Sequence, residues 1–121
     1  MPHPKTVAQA KIYLDCRKLI DILLDIIPQF PRDFKYAFGA KMQDISVNLI
    51  RHIAAAYQSR DAVEKARHLM EFKAEFETLK LLVRIAGERK WIKGIHKYAA
   101  IVAIMTEIGK QSSAWKNKVG F

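Results

Sequence analysis

Arg84, Arg89, Lys90, Lys93 and Lys97 crowd around Trp91. Positive charge beside an aromatic ring suits phosphate contact with base stacking, the combination that single-strand binders use. Trp91 has a second reading, as a hydrophobic staple packed under the next helix. Lys110, Lys116 and Lys118 bracket Trp115 farther on. Bases there also complement a helix C-terminus. Arg32 and Lys35 form a third group. No helix-turn-helix, zinc finger or recognition-strand motif accompanies these clusters, so they point to phosphate contact and not to reading of a duplex sequence.

The excess charge is uneven. The chain has 21 Lys plus Arg against 12 Asp plus Glu, a formal net charge of +9. From Arg84 onward, eight bases face only Glu88 and Glu107. Such a field attracts and steers polyanions, chiefly nucleic acid. The competing reading is that the charge serves solubility alone.

Other chemistry lacks its residues. A bundle core holds two metals through Glu-x-x-His pairs. Three residues before His52, His68 and His96 stand Leu49, Lys65 and Lys93, none of them a ligand. A di-metal carboxylate centre is therefore excluded, and the histidines read as solvated helix-surface side chains. The glycines are isolated, so no phosphate-cradling loop exists. Cys16 falls at helical spacing among Tyr13, Leu19 and Ile20 and reads as a small buried hydrophobe. Asp15, Asp21, Asp25 and Asp44 are interspersed with bases on polar faces, which does not favour paired-carboxylate catalysis. No cofactor, metal or enzyme activity is expected.

The bulk numbers suit one domain. The 121 residues are 50% hydrophobic, enough to bury a core. The single cysteine has no intrachain partner, which fits a reducing, cytoplasmic setting. Neither a signal-peptide core nor a membrane span is expected. The most apolar stretch, Leu19 to Ile27, contains Asp21 and Asp25 and falls short of the about 20 apolar residues a span needs.

Four helices must position the bases. The first is expected over 6–27, with Thr6 as N-cap, Pro28 as its stop and Ile12, Cys16, Leu19, Leu23 and Ile26 inward. Asp15 is placed on its polar face with Lys11, Lys18 and Asp25. The second covers 31–57, with a stripe of Phe34, Phe38, Met42, Ile45, Leu49, Ile53 and Ala56. Gly39 inside it implies a close backbone approach.

No Gly or Pro lies between Gly39 and Gly87, so one very long rod is an alternative to two helices. Ser59 as N-cap and Asp61 in a first turn favour a break, with the third helix over 60–86 and Gly87 at its C′ position. Val63, Ala66, Leu69, Met70, Phe72 and Phe76 form its early stripe. Its last turns, Leu79, Leu81, Leu82, Val83 and Ile85, are apolar nearly all round. That fits either a subunit interface or a fully central helix end. The fourth helix covers 95–116, after a possible Gly94 cap, and carries a wide stripe of Tyr98, Ile101, Val102, Met105 and Ile108. Residues 116–121 are expected to fray. Short connections between long amphipathic helices predict an all-α, up-down-up-down four-helix bundle.

Three segments resemble a known family in order along the chain. Phe30-Pro31-Arg32 with Phe38-Gly39-Ala40-Lys41-Met42-Gln43 is similar to an F-P-(R/K)…L-G-x-R-(I/T)-Q signature. Glu77-Thr78-Leu79-Lys80-Leu81-Leu82-Val83-Arg84-Ile85-Ala86 resembles E-x-L-(R/K)-x-L-x-R-(L/I)-A. Tyr98, Glu107-Ile108-Gly109-Lys110 and Trp115 resemble Y…E-I-G-(R/K)…G-W-x-K. These are signatures of bacterial four-helix-bundle proteins that include the accessory variability determinant of diversity-generating retroelements. Ser113-Ala114 replaces the family's glycine pair, a departure that bears on the packing of the last helical turn.

The resemblance implies a non-enzymatic helper that assembles as a basic, barrel-like homopentamer. It implies association with the element's reverse transcriptase and with RNA or DNA during mutagenic retrohoming. A sister group, encoded within intervening sequences of ribosomal RNA genes, implies the alternative of a structural or protein-interaction module. By motif position, the basic sites carried over are Arg32, Lys41, Lys80, Arg84 and Lys110.

Overall fold

The computed structural model describes residues 10–119. They form a four-helix bundle: α1 (Lys11–Ile26), α2 (Ala40–Gln58), α3 (Ala62–Glu88) and α4 (Ile95–Val119). No strand occurs among the described residues. Each helix packs on its chain neighbours, and α1 also packs on α4, which closes the ring. The first and third connections therefore share one end of the bundle, and the second lies at the other. No helix among the described residues is long and apolar enough to cross a membrane.

The core follows the helical periods. Ile12, Cys16, Leu19, Leu23 and Ile26 of α1 are buried as expected. Met42, Ile45, Leu49, Ile53 and Ala56 of α2 meet Ala66, Leu69, Phe72, Phe76, Leu79 and Val83 of α3 and Ile101, Met105 and Ile108 of α4. Each large aliphatic side chain taken fully out of water contributes about 1.5–3 kcal/mol. Burial, with a smaller push from the charge of Asp15, raises the Cys16 thiol to about 12. The thiolate that would make it reactive is therefore suppressed.

Several boundaries depart from the sequence-based expectation. Ala10, with an extended backbone, caps α1, so the helix starts later than residue 6; Thr6 lies outside the described residues. Before α2, Arg32–Phe34 form a helical turn and Lys35–Gly39 a π-helical one. An extra residue in one turn rotates the preceding stripe by roughly 100°. Phe34 is thereby turned out of the bundle core that holds Met42, and its ring is partly exposed. The break after α2 occurs where expected, yet the cap differs. Asp61, not Ser59, accepts from the Val63 backbone N–H at 3.2 Å, while the Ser59 hydroxyl donates back to Ala55 O. Val63 and Met70 face solvent rather than the core. At the far end α4 continues through Ser113-Ala114 to Val119, beyond the expected stop at 116; residues 120 and 121 lie outside the described residues.

Gly39 makes the close approach its position implies. A Cβ there would lie 2.5 Å from Cγ2 of Ile27, in the 3-10 turn Ile27–Gln29 that follows α1. Gly87 does not end α3, as expected of it; it lies within the helix, where a Cβ would overlap the Tyr98 ring. Its lack of a side chain admits α4, and the turn itself falls to other residues.

An aromatic cluster ties the two connections at one end of the bundle. Trp91 stacks on Phe34 at 4.6 Å between centroids, meets Phe38 edge-on at 5.2 Å and lies 5.5 Å from Phe30. It is only 7% exposed. Of the two readings, packing is the one that holds, although the ring seats against the α1–α2 connection and not beneath α4.

Asp15 is buried instead of solvated. Burial raises its carboxyl, but hydrogen bonds from Lys11 Nζ at 2.8 Å and Gln111 Nε2 at 2.6 Å outweigh that. The net result lies below the usual 3.8. Gln111 thus links α4 to α1 through a charged acceptor.

Two outcomes follow from these contacts. The folded-state carboxyl of Asp15 titrates below its unfolded value, so its contribution is complete above about pH 4 and is lost as pH falls through the folded pKa. Asp15→Asn should lower stability at pH 7 by about 1–2 kcal/mol and flatten the acid dependence of urea midpoints; parallel curves for variant and parent would contradict this role. Trp91→Ala should lower urea-unfolding stability by about 3–5 kcal/mol, the range for an aromatic removed from a packed site; a loss under 1 kcal/mol would show the cluster to be dispensable.

Candidate nucleic-acid interface

The turn from α3 to α4 carries the densest group of bases, and its geometry is specific. The Trp91 N–H bonds to Ala86 O at 2.9 Å and the Lys90 N–H to Gly87 O at 3.1 Å. This is a Schellman closure, in which the C′ residue is left-handed and usually glycine. Here that residue is Lys90, with φ of 61°. A non-glycine residue there strains the backbone by about 1 kcal/mol. Arg89 reaches across the aromatic cluster, its guanidinium 5.4 Å from the Phe34 centroid and 5.3 Å from that of Trp91. The guanidinium remains exposed while its plane is held by the rings.

The structure brings three sequence-separated groups to this end of the bundle. Arg32 and Lys35 belong to the segment that Phe34 fastens against Trp91. Lys93 and Lys97 follow the turn, and Lys97 reaches Asp25 at the end of α1 at 3.9 Å. Lys41 is exposed near the start of α2. Arg32, Lys41, Lys90 and Lys93 have no acidic partner among the described residues. Lys35 is half-buried, with Nζ 5.6 Å from the Tyr36 ring.

The remaining bases lie elsewhere. Lys80, Arg84 and Lys110 line a groove of about 510 Å³ between α3 and α4, over an apolar floor that includes Phe76, Tyr98 and Met105. They are tempered by acids: Lys80 pairs with Glu77 at 3.0 Å, Arg84 with Glu88 at 3.0 Å and Lys110 with Glu107 at 4.0 Å. Lys116 is half-buried near the opposite end, where Lys118 and Trp115 share a cleft with Lys65. Along α4, Lys97 and Lys116 stand about 28 Å apart at 1.5 Å per residue. The bases from Lys97 to Lys116 therefore do not form one patch on a single chain.

Base stacking on Trp91 is corrected by this geometry, because Phe34 covers its face. Phosphate contact does not need the ring. Sequence reasoning also passed over a polar cluster on the opposite half of the molecule. His52 and His68 are largely buried, not solvated, and converge with Glu71 between α2 and α3. The search for a carboxylate three residues before each histidine overlooks His68-x-x-Glu71, which presents the same two ligand types on one helix face in reverse order.

No curated protein sequence matches the chain. A family comparison does find a match, to the bAvd-like family over residues 6–119. The match covers nearly the whole chain and includes all three ordered segments singled out above, so this four-helix bundle belongs to the bAvd-like family.

Proposed function

We propose that this protein is a non-catalytic accessory factor of a diversity-generating retroelement. It binds RNA or DNA, without sequence preference, and the element's reverse transcriptase, and it works in the cytoplasm as a homo-oligomer, most simply a pentameric barrel. Membership of the bAvd-like family supports the accessory role. The observation that carries nucleic-acid binding is the basic turn itself. Lys90 occupies a backbone position that favours glycine, and it stands among Arg89, Lys93 and Lys97. Strain at a surface turn is tolerated where the side chain has a task, and here the side chain is a charge. Arg32, Lys35 and Lys41 extend the same end.

Self-association draws on surface that one bundle leaves uncovered. Leu81 is 61% exposed, Ile85 41% and Val102 44%. Leu81 and Val102 border the α3–α4 groove, the loosest seam of the bundle. The apolar excess at the end of α3 thus faces outward, which supports the subunit-interface reading over the central-helix one. A ring of chains repeats the basic turn at fixed spacing, and linked weak phosphate contacts gain strength through effective concentration.

Two measurements test this reading. Filter binding to a single-stranded oligonucleotide should weaken steeply with salt, by a log–log slope of about 0.7 per phosphate neutralised. Lys90→Gly should stabilise the fold by about 1 kcal/mol and yet weaken binding, and Lys93→Glu should weaken it further; salt-independent binding, or tighter binding by Lys90→Gly, would defeat the claim. Light scattering should give a multiple of the 13.9 kDa chain. Leu81→Asp combined with Val102→Asp should shift that mass toward monomer with helical content retained, and a parent protein that is itself monomeric would rule the assembly out.

A further inference from the structure

We propose that His52, His68 and Glu71 form a binding site for a single divalent metal ion of the zinc class, which clamps α2 to α3. The site is independent of the basic turn and lies toward the other end of the bundle. His52 stands as far before the end of α2 as His68 stands after the start of α3. Two helices joined by a tight turn bring such positions level across their seam. Glu71 follows His68 by three residues and shares its face.

One ligand atom from each of the three residues lies within 4.8 Å of the others. A tetrahedral centre with bonds of about 2.1 Å spaces its ligand atoms by about 3.4 Å. Side-chain rotation on two fixed helices covers that difference. Two imidazoles and one carboxylate suit zinc and its neighbours, whereas magnesium and calcium prefer all-oxygen sites.

The surroundings are those of a built site. Glu75 engages His52 Nε2 and is itself held by Asn48 Nδ2 at 2.9 Å. A carboxylate on the outer ring nitrogen is the usual device that orients a metal-bound histidine. It leaves His52 Nδ1 facing Glu71 Oε2 at 3.5 Å. Arg67 holds the other oxygen of Glu71 at 3.0 Å, which fixes that carboxylate in turn. His68 Nδ1 is buried and has no hydrogen-bond partner among the described residues. Coordination is one way to satisfy such a nitrogen. Arg51 and Arg67 stand near, but Glu64, Glu71 and Glu75 outnumber them. Residues of α2 and α3 line an open cleft beside the cluster, so an ion has a path in.

The test uses the full chain stripped with chelator and dialysed. Zinc titration against a chromophoric indicator should show one ion per chain, with a dissociation constant of about 1 μM or tighter. At a hundredfold excess over that constant, the thermal midpoint should rise by roughly 10 °C. His68→Ala and Glu71→Gln should each weaken binding at least about tenfold and abolish most of the thermal shift. His96→Ala, on the exposed start of α4, should change neither. Glu71 is nearly half exposed, so Glu71→Gln keeps the test decisive even where a histidine variant fails to fold. Absence of competing zinc binding would overturn the proposal. So would binding that survives Glu71→Gln unchanged, or binding that disappears in His96→Ala.

Discussion

The burial of Trp91 against Phe30, Phe34 and Phe38 is the contact on which the basic end of this bundle depends. Two connections meet there, each closed by its own backbone hydrogen bonds, and among the described residues no backbone hydrogen bond joins one to the other. The aromatic cluster supplies the fixed surface that they lack. It fastens the segment bearing Arg32 and Lys35 to the turn bearing Lys90 and Lys93, and it gives the Arg89 guanidinium two rings to lie over. Without it, like charges on separate loops would repel one another and spread. With it, they are held at one end at the expense of packing energy drawn from apolar contact.

Much of this was legible in the residues. The inward stripe of α1 and most of those of α2 and α4 follow simple helical spacing, although Val102 of the α4 stripe is exposed, and the break after Gln58 is marked by Ser59 and Asp61. Gly39 announces the contact with Ile27 because a missing side chain inside a helix has few other uses. The misreadings share a physical origin. Phe34 lies in phase with Phe38 and Met42 only if the helix is regular, and the π-helical turn breaks that phase. Gly87 looks like a terminator because glycine is the usual C′ residue, yet the approach of Tyr98 claims it and Lys90 takes the left-handed position. Asp15 reads as solvated because its hydrogen-bond donor from α4, Gln111, is distant in sequence. Tertiary contact decided each case, and local pattern does not contain it.

The basic residues could be counted in the sequence, but their arrangement could not be read there. Charge counting identifies the bases without saying which acids answer them. The structure divides them: Lys80, Arg84 and Lys110 have carboxylate neighbours along the groove, whereas Arg32, Lys41, Lys90 and Lys93 have none among the described residues. Exposed ion pairs of this kind are weak, so a polyanion displaces them readily, but each displaced carboxylate still opposes the incoming phosphate. Under the proposed binding the unanswered bases would be the stronger phosphate contacts, and three of them, Arg32, Lys90 and Lys93, lie on the two segments that the aromatic cluster joins.

The two sides of α3 carry their charges differently. Its α2-facing side carries Glu64, Glu71 and Glu75 around two histidines, with Arg67 answering the first two acids, while the side toward α4 carries Lys80 and Arg84 paired with Glu77 and Glu88. The α2 seam is the tighter of the two, and its polar cluster crosses it with a direct hydrogen bond from Asn48 to Glu75. The α4 seam is looser, groove-like and flanked by exposed Leu81 and Val102. Closer packing on one side of α3 and uncovered apolar surface on the other belong to the same helix. The helix thus packs closely on α2 and leaves Leu81 and Ile85 uncovered on its other side.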